Sequence, residues 1–312
     1  MTSHSNMAHT ILAGVARKVR LEMIDSRQLV GTEDLEVALT RSVVLTLARQ
    51  RSPLVRVGYP AGTEDTHGAD LELWVRSQGL RVGFRFQSKV LRPLQRFAGK
   101  YEELDHRIGG RSSGERQIDV LIENSPRPLN PAYLFYNGLE REPSIRSACC
   151  RDDEWSPRNG QLGLTFCSAH RIRALLDGSV RLPKRLEAVL PRSLPLPCAA
   201  TCIDPSHVTP WSLSRPFNPV ADFMSRMPGW VLGADLGLDP LWVVADERSP
   251  RGTAALETLD QLGWAVRAVT PDSTNYVEML LEAGEFTGIE ELLEVPPIMP
   301  VIVIDLEPED LS

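Results

Sequence analysis

No apolar run in the 312-residue sequence approaches the roughly 18 residues that a membrane span needs, and MTSHSNMAHT at the start has no basic stretch followed by an apolar core. These absences argue against a membrane-spanning helix and a secretory leader, and lead to the expectation of a cytoplasmic protein. Cysteine is scarce, with five in the chain. An odd number, with Cys149 and Cys150 adjacent, does not make a disulfide framework in a chain this long and agrees with a reducing compartment. Walker A loops, G-x-G-x-x-G and H-E-x-x-H are all missing, which removes the commonest phosphate-cradling, dinucleotide-binding and zinc-hydrolase signatures. There is no internal repeat either. The two Gly-Ala-Asp-Leu tetrapeptides, at 68 and 233, have different surroundings.

Positive charge is also in deficit, with 34 Lys and Arg against 41 Asp and Glu, a net −7. Its distribution is more informative than its sum. Between Arg76 and Arg116 ten basic residues face four acids, enough for a phosphate-facing surface. From Asp235 onward only Arg248, Arg251 and Arg267 are basic among many acids, so that end is expected to turn away from nucleic acid or to face a basic partner protein.

What the chain does contain reads as an α/β protein in four parts: an N-terminal helical segment (1–30), a core (31–180), a Pro-rich connection (181–219) and an acidic α/β subdomain (220–312). Residues 8 to 24 carry Ile11, Leu12, Val15, Ala16 and Val19 at helical spacing. A second helix is expected after Gly31, capped by Thr32 or Asp34, with Leu35, Leu39, Val43 and Leu47 on one face and Glu33 and Glu36 in its first turn. Pro53 stops it, and residues 54–57 form a short strand. After a hairpin at 68–91, Tyr101, Leu104 and Ile108 give one face of a helical turn. A helix follows at 116–124 with Ile118, Val120, Leu121 and Ile122 buried, and then an aromatic strand at 132–136. The order is helix, strand, strand, strand, helix, strand. Downstream, residues 163–176 look like a strand running into a helix capped by Ser168. The eight prolines of 181–219 read as extended connection. Strands are expected at 241–245, 265–269 and 299–305 and helices at 254–262 and 275–283, an alternation that could continue the same sheet.

The hairpin is the most informative stretch. Leu71, Leu73 and Val75 alternate with Asp70, Glu72 and Trp74, and Phe84, Phe86 and Ser88 alternate with Arg85, Gln87 and Lys89. Pairing Ser77 with Leu80 across Gln78-Gly79 sets Leu73 opposite Phe84, Leu71 opposite Phe86, Glu72 opposite Arg85 and Asp70 opposite Gln87. That register matches the apolar faces and brings a carboxylate, an amide and an ammonium onto one face. Together with the main-chain carbonyl of Ser88, Asp70 and Gln87 offer oxygen ligands of the kind Mg²⁺ (or Mn²⁺) takes, and Lys89 could position an attacking water. Glu33, Glu36 or Glu64 could add a second carboxylate, although solvation at a helix end or in a loop is the commoner fate of such residues.

This pattern of Asp70, hairpin and Gln87-Ser88-Lys89, preceded by an acid-bearing helix and followed by helix and strand, resembles the PD-(D/E)XK or restriction-endonuclease-like superfamily. It is closest to the variants with glutamine for the motif glutamate, as in Mrr-like nucleases and some phage-defence effectors. The longer run, with the GADLELWV and FQSKVL stretches, Tyr101, Gln117 and the aromatic strand from Tyr133 to Asn137, also looks like an uncharacterised bacterial domain family. The resemblance covers roughly residues 30 to 180 and implies an αβββαβ core around a mixed sheet, extended at its C-terminus. It further implies Asp70 and Gln87 on a metal, Lys89 as the catalytic lysine and Gln117 turned towards the site. The sequence departs from the pattern in having no proline before Asp70 and a neutral residue at 87. The implied function is a metal-dependent endonuclease acting on DNA in antiviral defence, with Arg85, Arg92 and Arg96 meeting phosphates. The alternative is a catalytically degenerate module of that fold that binds nucleic acid or a partner protein, through its acidic C-terminal part, without hydrolysis. Either could form a homo-oligomer.

Other candidates are weaker. Cys198, Cys202 and His207 have irregular spacing for a zinc half-site. Cys167 and His170 fit a buried thiol and a helix-surface imidazole better than a nucleophile and its base. Tyr133, Phe135 and Tyr136 could stack on bases, but on a short central strand they suit a core.

Overall fold

The computed structural model describes residues 4–29, 35–58, 69–77, 80–95, 98–108, 114–140, 160–178, 182–201, 242–245, 267–269, 276–277, 280–281 and 299–306. The chain opens with two helices, α1 (His4–Leu29) and α2 (Leu35–Arg49). Strands β1 (Val55–Gly58), β2 (Leu71–Ser77) and β3 (Leu80–Val90) follow, then a small hairpin of β4 (Arg92–Gln95) and β5 (Ala98–Lys100). A 3₁₀ turn at Glu102–Asp105 leads to α3 (Gln117–Glu123), β6 (Leu129–Tyr136), β7 (Leu164–Ser168) and α4 (Ala169–Asp177). The rest comprises α5 (Leu186–Val189), β8 (Leu194–Pro195), α6 (Cys198–Thr201), β9 (Trp242–Ala245), β10 (Arg267–Val269) and β11 (Val301–Asp305).

The protein is mixed α/β. Among the described residues the sheet has nine strands, seven of them in the order β1-β11-β2-β3-β6-β7-β8, with β9 attached to the start of β3 and β10 to β9. The pairs β11/β2, β3/β6 and β10/β9 are parallel and the rest antiparallel. The expected succession is present as α2, β1, β2, β3, α3, β6, with the β4/β5 hairpin inserted before α3. One feature departs from the sequential picture. The last described strand, β11, lies between β1 and β2, so the 220–312 stretch contributes to the central sheet. Val301, Ile302, Val303 and Ile304 are all buried, as an uninterrupted apolar run covered on both faces must be.

Each face of the sheet carries its own core. On one, α1 and α2 set Leu12, Val15, Val19, Leu39, Val43 and Leu47 against Leu73, Phe84, Phe86, Leu134 and Ile302. On the other, α3, α4 and α5 set Ile118, Leu121, Ile172, Leu175 and Val189 against Tyr133, Phe135 and Cys167. Further along that second face, Trp74 packs with Val244, Val277 and Leu280. Gly83 stands opposite Trp74 because a Cβ there would come within 2.7 Å of the indole ring.

Several expectations are corrected. Residues 182–201 are not an extended connection: Leu186, Val189, Leu190, Leu194, Leu196 and Ala199 are buried, because short apolar runs between prolines can pack without long elements. Ile108 is exposed, the turn ending at Asp105 before its side chain can join Tyr101 and Leu104. Ile122 is only half-buried at the edge of α3. Ser168 does precede α4 but makes no side-chain capping bond. His170 is buried on α4 rather than on its surface. The expected strands at 241–245 and 265–269 appear as β9 and β10; Tyr276, Val277, Leu280 and Leu281 have helical backbone, and the 254–262 helix lies outside the described residues. Among the described residues no helix is long and apolar enough to cross a membrane.

Candidate functional site

The β2–β3 hairpin has the register that its alternation dictates: Ser77 pairs with Leu80, Leu73 with Phe84, Glu72 with Arg85 and Leu71 with Phe86. The ladder ends at Leu71, and Asp70, expected opposite Gln87, instead donates its backbone N–H to the carbonyl of Phe86 at 2.7 Å. Asp70 is thereby held at the end of β2, and its side chain reaches over β3. Oδ2 accepts from the Ser88 backbone N–H at 2.6 Å and from Gln87 Nε2 at 3.0 Å. The N–H and C=O of a strand residue point to the same side, so the Ser88 carbonyl lies on Asp70's side of β3.

A second carboxylate arrives from α2. Glu36 Oε1 lies 3.4 Å from Lys89 Nζ and accepts from Gln87 Nε2 at 3.3 Å. Burial pushes the Glu36 carboxyl up to about 7; Lys89 opposes that shift and Asp70 adds to it. The four side chains Glu36, Asp70, Gln87 and Lys89 therefore form one contiguous cluster.

Three hydroxyls, none read from the sequence in this role, hold α2 in place. One turn after Glu36, Thr40 Oγ1 lies 2.8 Å from Tyr136 Oη and 3.2 Å from Ser88 Oγ, all inside the α1/α2 core. Thr40 also donates to the Glu36 carbonyl at 3.0 Å. This contact ties α2 to β3 at Ser88 and to β6 at Tyr136, and so sets where Glu36 emerges. The only signal in the sequence was polarity out of place, a threonine on the apolar face of a helix and a serine following Phe84 and Phe86 on an apolar strand face.

Across the parallel β3/β6 pair Gln87 stands beside Tyr133, and Lys89 beside Phe135. Gln87 Oε1, the Tyr133 hydroxyl and Gln117 Oε1 are all buried without a hydrogen-bond partner among the described residues. Burial holds the Tyr133 phenol well above its ordinary range, with the charges of Arg116, Asp105, Asp119 and Glu36 acting on it more weakly. It is therefore a protonated hydroxyl at neutral pH. Tyr133, Phe135 and Tyr136 are fully buried core residues and present no ring for a base.

Among the described residues, most of the basic stretch is buried or paired with acids rather than open. Arg85 is buried and holds Glu72 Oε1 at 2.7 Å and the Asn124 carbonyl at 3.1 Å, so it is not placed to meet phosphate. Its position opposite Glu72 in the hairpin commits it to that pair. Arg92 is half-exposed and bonded to Glu102 at 3.0 Å; Arg96 lies outside the described residues. Arg76 pairs with Asp305, Arg116 with Asp105 and Asp177, and Lys100 approaches Glu102. Arg81 is buried. Of the described basic residues in the stretch, Arg107 is exposed and bonds only the Gly114 carbonyl, while Arg111 lies outside the described residues.

Of the other candidates, Glu33 and Glu64 lie outside the described residues, as do Cys202 and His207; Cys198 is buried in the α1/α2 core. Cys167 is a buried thiol that burial pushes up to about 12. No group of three or more His, Cys, Asp or Glu side chains among the described residues is arranged to hold a metal. The cluster does offer two carboxylates, with the Ser88 carbonyl on Asp70's side, oxygen donors of the kind a hard cation takes, while the Gln87 amide presents its Nε2 to both carboxylates.

The chain belongs to a family described as "Family of unknown function (DUF6615)", whose model matches residues 8–307. No curated protein and no solved structure matches it significantly.

Proposed function

We propose that this member of the family is a metal-dependent endonuclease of restriction-endonuclease-like fold that hydrolyses DNA phosphodiester bonds, acting in defence against phage. The observation that carries this reading is the convergence of Asp70, Gln87 and Lys89 with Glu36 at the end of one hairpin. Asp70, the Gln87 amide and the Ser88 carbonyl would hold Mg²⁺ or Mn²⁺, which when bound supplies charge stabilisation at the phosphate. Lys89 is the group suited to orient the water that attacks phosphorus and to offset the negative charge that develops as the ester P–O bond breaks. Glu36 keeps Lys89 in place until substrate enters. Tyr133 and Phe135 close the inner wall and exclude bulk water.

A second reading is favoured by the pairing of the basic stretch and by the neutral Gln87. In it the same fold binds nucleic acid, or a partner protein through its acidic C-terminal part, without cutting. A plasmid-nicking assay with Mg²⁺ or Mn²⁺, comparing wild type with Lys89→Ala and Asp70→Ala, separates the two. Metal-dependent nicking lost in both variants supports hydrolysis. Absence of nicking by wild type under every condition, with DNA still bound in the same samples, supports the second.

A further inference from the structure

Residues 37–63 hold Arg41, Arg49, Arg51 and Arg56 and no acid, in a chain where acids outnumber bases. Three of the four face solvent. Arg41 and Arg49 stand on the outward side of α2, eight positions and so about 12 Å apart along its axis, with Leu45 and Ala48 exposed between them. Arg51, two residues beyond the helix, is exposed too. Arg56 differs: Val55 and Val57, its neighbours in β1, join the α1/α2 core, so its side chain points to the other face of the sheet. No carboxylate among the described residues pairs with Arg41, Arg49 or Arg51, whereas Arg76, Arg85, Arg92 and Arg116 have acidic partners. The one acid of α2 is Glu36, in its first turn, and it is turned to Lys89. A second observation is conformational. Arg51 has φ 48°, the left-handed region where a helix end ordinarily places glycine or asparagine. An exposed side chain does not offset that cost by packing, so stability alone does not account for an arginine there.

We propose that the outward face of α2, with Arg41, Arg49 and Arg51, binds the sugar-phosphate backbone of DNA beside the site. This rests on the reading of the protein as one that engages DNA, and names the surface that does so. Guanidinium groups give phosphate oxygens two parallel N–H donors, and Leu45 and Ala48 set no negative charge against the backbone between them. Helix α2 joins this face to the chemistry, because Glu36 at its start belongs to the Asp70, Gln87 and Lys89 cluster. Arg41 lies five positions on from Glu36 and projects about 140° round the axis from it, so it reaches phosphates that flank the site rather than one inside it. Such contacts fix where a duplex lies and carry no sequence preference.

The test uses the full chain and a short fluorescent DNA duplex, with anisotropy titrations over a range of salt concentrations. The variants are Arg41→Gln with Arg49→Gln, Arg51→Gly and, as a control, Arg56→Gln. The slope of log affinity against log salt should become shallower by about 0.9 for each phosphate contact removed, hence by about 1.8 in the double variant and about 0.9 in Arg51→Gly, while Arg56→Gln matches wild type. Arg51→Gly should melt at or above the wild-type temperature, because glycine adopts φ 48° without strain, so its weaker binding is not a loss of fold. A wild-type slope in the double variant or in Arg51→Gly overturns this face and leaves the DNA reading standing. An equal fall in Arg56→Gln does the same, since the effect would then be one of total charge. Absence of binding by wild type at low salt also overturns the face; if plasmid nicking with Mg²⁺ or Mn²⁺ is absent as well, the DNA reading falls with it.

Discussion

Glu36 Oε1 lies 3.4 Å from Lys89 Nζ, though the two are 53 positions apart in sequence. This contact ties helix α2 to the strand that carries Gln87 and Lys89, and it gives the site a second carboxylate. The lysine is almost wholly buried and the glutamate about one quarter exposed, so the pair is shielded from salt far more than a surface bridge.

The raised Glu36 carboxyl makes stability depend on pH. Its folded value of about 7 exceeds the ordinary 4.5, so the native state binds more protons than the unfolded state between these values. The stability that Glu36 contributes is complete below about pH 4.5 and is lost as pH rises through about 7. Urea denaturation across that window should show wild type weakening towards alkaline pH relative to Glu36→Gln. Parallel profiles for the two proteins would remove Glu36 as the cause.

Lys89→Ala should fold and, under the hydrolytic reading, should cut DNA poorly. With the ammonium gone, Glu36 and Asp70 repel each other without compensation, so Glu36 is held protonated to a still higher pH and its stability profile moves alkaline. Under the hydrolytic reading nicking should fall by at least about 10²-fold, the usual scale for losing a group that stabilises developing charge. Circular dichroism and plasmid nicking on the same preparation check both parts.

Arg85 should matter for the fold and not for DNA. Arg85→Ala strands Glu72 in the interior, which also accepts from Tyr276 at 2.8 Å, and breaking such a buried pair costs about 3–5 kcal/mol. Joint replacement, Glu72→Leu with Arg85→Met, should recover most of that loss. If Arg85→Ala were as stable as wild type but bound DNA with a shallower salt dependence, the residue would be a phosphate contact after all.

Thr40→Val keeps the shape of α2 and removes the hydroxyl shared by Tyr136 and Ser88. The two remaining hydroxyls are buried, so a loss of about 1–3 kcal/mol is expected. Any activity should fall with it through the placement of Glu36. Thr40→Ser should restore both, and failure of that rescue would point to packing of the methyl group instead.

Local periodicity made the hairpin legible. A period of two fixes which side chains share a strand face, and one turn length then fixes the register, so the approach of Asp70 to Gln87 followed from residues 68 to 91 alone. The apolar faces of α1 and α2, the β6 strand and the mixed α/β class were readable for the same reason. What periodicity cannot carry is which distant element meets a face. Only the folded chain decided that Glu36 reaches Lys89, and that Thr40 sets its place. Tertiary structure also put β11 between β1 and β2, packed residues 182–201 into the core, and gave Arg76 and Arg116 acidic partners. Charge is a sum over neighbours in space, so a basic stretch in sequence says little until those neighbours are known, whereas a strand's alternation is written into each successive residue.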